Sequence, residues 1–145
     1  MKIKTELINF SEGLSLESGG KLDSFDLMVE SYGELNGSKS NAILLCHAFS
    51  GNHHAAGEDK ELGTGWWDQL VGPNKAIDTE KYYVVCCNNL GGCAGSSGPT
   101  TINPATNKPF GVDFPQVTVE DWVNSQKMLM DKLDIPHWHL VTGGS

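Results

Sequence analysis

The sequence predicts an α/β fold built around a central sheet, and three observations carry that prediction. Residues 41–47 and 82–90 are short, strongly apolar runs, too brief for stable helices, and read as strands buried on both faces. Residues 118–133 have helical spacing and open on a capping signal. A last apolar strand, His139-Leu140-Val141-Thr142, runs into Gly143-Gly144-Ser145. Strand, loop, helix and strand in that order form the crossover unit of a parallel sheet.

Composition narrows the class. With 145 residues the chain is long enough for one domain with a sizeable core. Ten Lys and Arg against eighteen Asp and Glu leave a net charge of −8, and no basic cluster offsets it, so nucleic acid is not an expected partner. The opening Met1-Lys2-Ile3-Lys4-Thr5-Glu6 leads into no long apolar segment, and no run approaches the roughly 18 apolar residues of a membrane helix. A cytoplasmic protein without membrane contact is expected. Cys46, Cys86, Cys87 and Cys93 lack C-x-x-C spacing and mostly lie in apolar runs, which favours reduced thiols over a disulfide or a zinc site. Neither an internal repeat nor a low-complexity linker is visible.

In chain order, residues 3–17 mix apolar and acidic side chains, and Ser18-Gly19-Gly20-Lys21 reads as a turn. Residues 25–33 alternate at period two, which predicts an antiparallel opening hairpin. A polar loop with Asn36-Gly37 feeds the first buried strand, and His47-Ala48-Phe49-Ser50-Gly51-Asn52-His53-His54 follows it. Three histidines in eight residues invite a metal reading, but adjacent His53 and His54 rarely converge on one ion and no ligand template is present, so no metal is expected. The second buried strand leads into Gly91-Gly92-Cys93-Ala94-Gly95-Ser96-Ser97-Gly98-Pro99. This glycine-rich loop lacks the Gly-Lys-Ser/Thr of a phosphate cradle, and Pro99, Pro104, Pro109 and Pro115 keep a helix from opening behind it. A proline-pinned excursion of about 25 residues is long for a connection and is expected to wall a site.

Thr118-Val119-Glu120-Asp121 then starts the helix as a capping box, with Trp122, Val123, Gln126, Leu129, Met130 and Leu133 expected on its packed face. Asp134-Ile135-Pro136 ends it. The chain returns as the strand that delivers Ser145 to the carboxyl end of the sheet. In that context Gly143-Gly144-Ser145 reads as the front half of a nucleophile elbow, with Ser145 the candidate nucleophile and small neighbours required by the tight turn. The matching feature of an α/β-hydrolase fold is the loop after the first buried strand, whose backbone N–H at Phe49 is the candidate oxyanion-hole donor.

Several unusual loop sequences then fall in a familiar order. They are His47-Ala48-Phe49-Ser50-Gly51, Gly65-Trp66-Trp67-Asp68, Gly72-Pro73-Asn74-Lys75-Ala76-Ile77-Asp78-Thr79 and the run from Asn88 to Pro99. Ile102-Asn103-Pro104-Ala105-Thr106, Gly111-Val112-Asp113-Phe114-Pro115 and Gly143-Gly144-Ser145 complete the series. Over roughly residues 25–145 the chain resembles the homoserine O-acetyltransferase family, whose fold is that of the α/β-hydrolases. The resemblance implies acyl transfer from acetyl-CoA or succinyl-CoA, as co-substrate and not bound cofactor, to the hydroxyl of homoserine or serine in methionine and cysteine biosynthesis. It assigns Ser145 as nucleophile and the Phe49 N–H to the oxyanion hole, where the family usually has Leu. It also implies ping-pong transfer through an acyl-serine and a homodimeric full-length enzyme. A lost oxyanion donor typically costs about 3–4 kcal/mol in the transition state, so loop and elbow are both required.

In this fold the order is Ser, Asp, His, and nothing follows Ser145 in the sequence. His137 and His139 precede the last strand, about 20 Å from its far end, and neither can serve as the base. His47 reads as a loop residue. Residues 1–145 are therefore expected to be the amino-terminal part of a single α/β-hydrolase domain with a mostly parallel sheet, its lid and carboxyl-terminal strands missing. Alone, such a part should be inactive, with the Ser145 strand an uncovered apolar edge. Two rival readings are an ester or thioester hydrolase, and a non-catalytic chain that keeps the sheet as an interaction module.

Overall fold

Five strands and one long helix frame the protein in the computed structural model, which describes residues 1–144. The strands are β1 (Ile3–Phe10), β2 (Phe25–Tyr32), β3 (Ala42–Cys46), β4 (Tyr83–Cys87) and β5 (Leu140–Gly143), and the helix is α1 (Val119–Lys132). They form one sheet in the order β1-β2-β4-β3-β5. β1 and β2 pair antiparallel along their whole length, from Ile3 opposite Tyr32 to Phe10 opposite Phe25, which is the expected opening hairpin. β2 pairs antiparallel with β4, while β4, β3 and β5 run parallel.

The sheet is thus mixed, with two antiparallel and two parallel joints, where the sequence led us to expect a mostly parallel one. The hairpin accounts for the difference. It supplies two of the five strands, and its inner strand docks in the opposite sense on β4. The two strands of the expected crossover unit, β4 and β5, are parallel near neighbours with β3 between them, and the carboxyl ends of all three open on the same edge of the sheet.

Alternation along the strands splits the core in two. Phe25, Leu27 and Val29 of β2 pack with Phe10, Val85 and Leu129 on the α1 side. Tyr32, Ile43, Leu45, Val84 and Cys86 form the opposite face, covered by Ala55, Ala56, Val71 and the two indoles of Trp66 and Trp67. Cys86 and Cys87 are buried, Cys46 is half-buried, Cys93 is exposed, and all four are free thiols. On β5, Leu140 and Val141 are exposed. No helix among the described residues is long and apolar enough to cross a membrane.

The helix starts where its cap predicts. The Thr118 hydroxyl accepts from the Asp121 N–H, and the Asp121 carboxylate accepts from the Thr118 N–H at 2.8 Å. Asp121 is fully buried, and its second oxygen accepts from the Glu17 N–H at 3.0 Å, tying the hairpin's connecting loop to the helix. The packed face is consequently not the purely apolar stripe that helical spacing suggests. Asp121, Ser125 and Leu129 are its buried residues, and Val123 is exposed. Asp121→Ala is expected to destabilise the fold by about 1–3 kcal/mol, because it removes the capping-box acceptor and the partner of the Glu17 amide. Urea unfolding of the variant against the parent checks this.

Candidate active site

The carboxyl ends of β3, β4 and β5 bring three connections together. From β3 come His47 and a tight turn closed by the Gly51 N–H donating to the Ala48 carbonyl at 2.8 Å. That bond uses neither of the turn's central amides, Phe49 and Ser50. The Phe49 side chain is 90 % exposed, while His47 is buried. Phe49, Ser50 and Gly51 form one side of a groove of about 600 Å³. The opposite side comes from the chain after β4, including Gly91, Gly92 and Cys93, and from Phe114, Val117 and Trp122 near the start of α1.

The long excursion after β4 does wall this groove, and hydroxyl groups hold it as firmly as prolines do. Ser96 Oγ donates to the Asn88 carbonyl at 2.6 Å and accepts from the Met28 N–H at 2.9 Å. Ser97 Oγ accepts from the Asp26 N–H, and the Ser97 N–H donates to the Asp26 carbonyl, both at 2.9 Å. The glycine-rich loop is thereby stitched along β2. Trp122 Nε1–H donates to the Leu90 carbonyl at 2.8 Å and fixes the indole that floors the groove. No Asp, Glu, Lys or Arg is among the described lining residues.

At the end of β5 the two glycines are required by contact. Gly143 pairs with Cys46, and a Cβ there would collide with the Cys46 carbonyl oxygen. A Cβ on Gly144 would lie 2.8 Å from the Trp67 ring. The small residues expected before the nucleophile are thus explained by β3 on one side and an indole on the other. Ser145 itself lies outside the described residues.

The remaining histidines separate by location. His139 donates its N–H to the Ala42 carbonyl at 2.7 Å, and its ring packs at a tilt against Tyr82, at the opposite end of the sheet from Gly144. His54 is committed within the protein, with Nδ1 2.8 Å from Glu30 Oε2 and Nε2 3.1 Å from the Gly63 carbonyl. Among the described residues no group of three His, Cys, Asp or Glu side chains is arranged to hold a metal. His47 is more than the loop residue that its position in the sequence suggests. Its Nδ1 is 2.7 Å from the Ala48 carbonyl, and its Nε2 accepts from the Asn89 N–H at 3.0 Å. Burial holds its pKa below the ordinary value, partly opposed by the Ala48 carbonyl. The only sequence signal for this was its position directly after a buried strand.

No family model matches the chain. The homoserine O-succinyltransferase of Hahella chejuensis is 58 % identical over 147 aligned residues, covering 99 % of this chain and 38 % of that protein. A solved homoserine O-acetyltransferase from Bacillus anthracis superposes with a TM-score of 0.91 at 37 % identity, over 100 % of this chain and 40 % of its own. Esterase E22 superposes with a TM-score of 0.90 at 38 % identity, over 99 % of this chain and 41 % of its own. The fold is the α/β-hydrolase-like one that homoserine transacetylases and esterases share. The chain spans about 38 % of the length of the curated relatives it matches. With more than half of its residues identical to such relatives along 99 % of its length, the chain matches the amino-terminal part of members of the homoserine O-succinyltransferase/O-acetyltransferase family.

Proposed function

We propose that this chain is the amino-terminal part of a single α/β-hydrolase domain that transfers an acyl group from coenzyme A to the hydroxyl of homoserine. The single observation that carries the reading is the 58 % identity to a homoserine O-succinyltransferase along nearly the whole chain. The convergence of the 48–51 turn, the walled groove and Gly143-Gly144 at one sheet edge supports it. In the longer protein further parallel strands would extend the sheet beyond β5, and a lid would close over the groove. Succinyl-CoA is the donor to test first, because relatives 58 % and 55 % identical to the chain are homoserine O-succinyltransferases; acetyl-CoA is the second. A cytoplasmic homodimer using only small-molecule substrates completes the proposal.

In this reading Ser145 gives its hydroxyl proton to a histidine base supplied beyond residue 145, and its oxygen attacks the thioester carbonyl. The Phe49 N–H stabilises the resulting oxyanion, and the carbon–sulfur bond breaks as the thiol takes the proton. The homoserine hydroxyl then attacks the acyl-serine, returns its proton through the same base, and leaves as the O-acyl ester.

The 38 % identity to esterase E22 favours a second reading, in which water takes the place of homoserine. Thiol release from succinyl-CoA by the full-length protein separates the two. Transfer predicts release that depends on homoserine and yields O-succinylhomoserine. Hydrolysis predicts the same rate with or without the amino acid.

A further inference from the structure

His47 links the two loops that face each other across the groove. A carbonyl oxygen can only accept, so the 2.7 Å contact with the Ala48 carbonyl places a proton on Nδ1. An amide N–H can only donate, so the 3.0 Å contact from Asn89 requires a bare lone pair on Nε2. Together they select one neutral tautomer. The imidazolium would turn an N–H toward the Asn89 N–H, and the other neutral tautomer would oppose like groups at both contacts. The ring also leaves no slack against the turn. A Cβ on Gly51 would lie 3.0 Å from His47 Cβ and 3.1 Å from Nδ1. The Ala48 carbonyl, bonded to the Gly51 N–H on one side and the imidazole on the other, is consequently fixed in direction. Ala48 and Phe49 share one peptide plane, so fixing that carbonyl also fixes the direction of the Phe49 N–H.

We propose that His47 is a positioning residue, which aims the Phe49 N–H by holding the Ala48–Phe49 peptide plane and anchoring it to Asn89 at the start of the opposite wall. The inference rests on the acyl-transfer reading for the role of Phe49, and on hydrogen bonding alone for the tautomer. His47 moves no proton in this scheme.

The test uses three substitutions in the full-length protein. His47→Ala removes both bonds and is expected to lower kcat by about 10–100-fold with little change in KM for the acyl donor, since a misdirected donor is felt in the transition state. The amide N–H of His47→Asn reaches the ring's Nδ1 position and can donate to the Ala48 carbonyl, so it is expected to recover most of that loss. His47→Gln reaches the Nε2 position, restores only the anchor to Asn89 and is expected to recover less. An Asn variant as impaired as the Ala variant would overturn the proposal. So would an Ala variant as active as the parent. The imidazole ¹⁵N shifts decide independently of activity. A protonated Nδ1 with a bare Nε2 is expected at neutral pH, and the reverse pattern would overturn the proposal. A parent enzyme that releases no thiol from succinyl-CoA or acetyl-CoA, while showing the expected tautomer, would sink the acyl-transfer reading and leave the hydrogen-bonded clamp standing.

Discussion

Under the proposed acyl-serine mechanism, Ser145→Ala is expected to lower acyl transfer in the full-length protein by about four to six orders of magnitude, because it removes the atom on which the acyl group would rest between donor and acceptor. A ping-pong route has no bypass of comparable rate. Without the serine oxygen, homoserine would have to attack the thioester directly, with only the oxyanion donor and substrate positioning to help, a residual of about 10³–10⁴ over the uncatalysed reaction. Two measurements check it. Steady-state thiol release should collapse in the variant, and intact mass after brief incubation with acyl-CoA should gain one acyl group in the parent and none in the variant. A variant that retains thiol release within tenfold of the parent would mean direct transfer, with Ser145 a bystander. Circular dichroism of both proteins guards against a folding defect.

The parts of this arrangement that were legible in the sequence are those encoded locally. The period-two run at residues 25–33 and the apolar runs at 41–47 and 82–90 name β2, β3 and β4 because a strand's burial pattern is written in consecutive residues. The cap at Thr118 was visible because its partner Asp121 is three residues away. What was not legible connects distant segments. Asn89 and His47 are 42 residues apart, and Glu30 and His54 are 24 apart, so no window contains either pair. The burial of Asp121 is of the same kind: its carboxylate accepts from the Glu17 amide, 104 residues earlier, a partner outside any local window.

Glu30→Ala is expected to be the most destabilising of the substitutions considered, by about 3–5 kcal/mol, since it leaves one member of a buried ion pair without its partner. Glu30 and His54 are 4 % and 3 % exposed, and both His54 ring nitrogens face acceptors, an arrangement that the imidazolium satisfies at both positions. Glu30 also accepts from the Tyr32 hydroxyl and, at 2.9 Å, from Thr5; Tyr32 in turn accepts from the Ala55 and Ala56 amides. One carboxylate therefore organises the segment that carries Trp66 and Trp67 over the sheet. The pH dependence has a definite sign. Burial alone would lower the pKa of His54, but the hydrogen bond and charge of Glu30 raise it above the ordinary value of 6.5. Its stabilisation is then complete below about pH 6.5 and is lost as pH rises through the raised value. Neighbouring His53 acts in the opposite direction. It is buried, Nδ1 has no partner among the described residues, and desolvation lowers its pKa, against the attraction of Glu30 and Asp59. Its contribution is complete above about pH 6.5 and is lost as pH falls through the lowered value. His47 is lowered by burial and adds to that acid limb. Stability measured by urea unfolding should thus pass through a maximum near neutrality. His54→Gln should remove the fall on its alkaline side and leave the acid side in place, whereas an unchanged alkaline limb would show that the Glu30–His54 pair does not carry it.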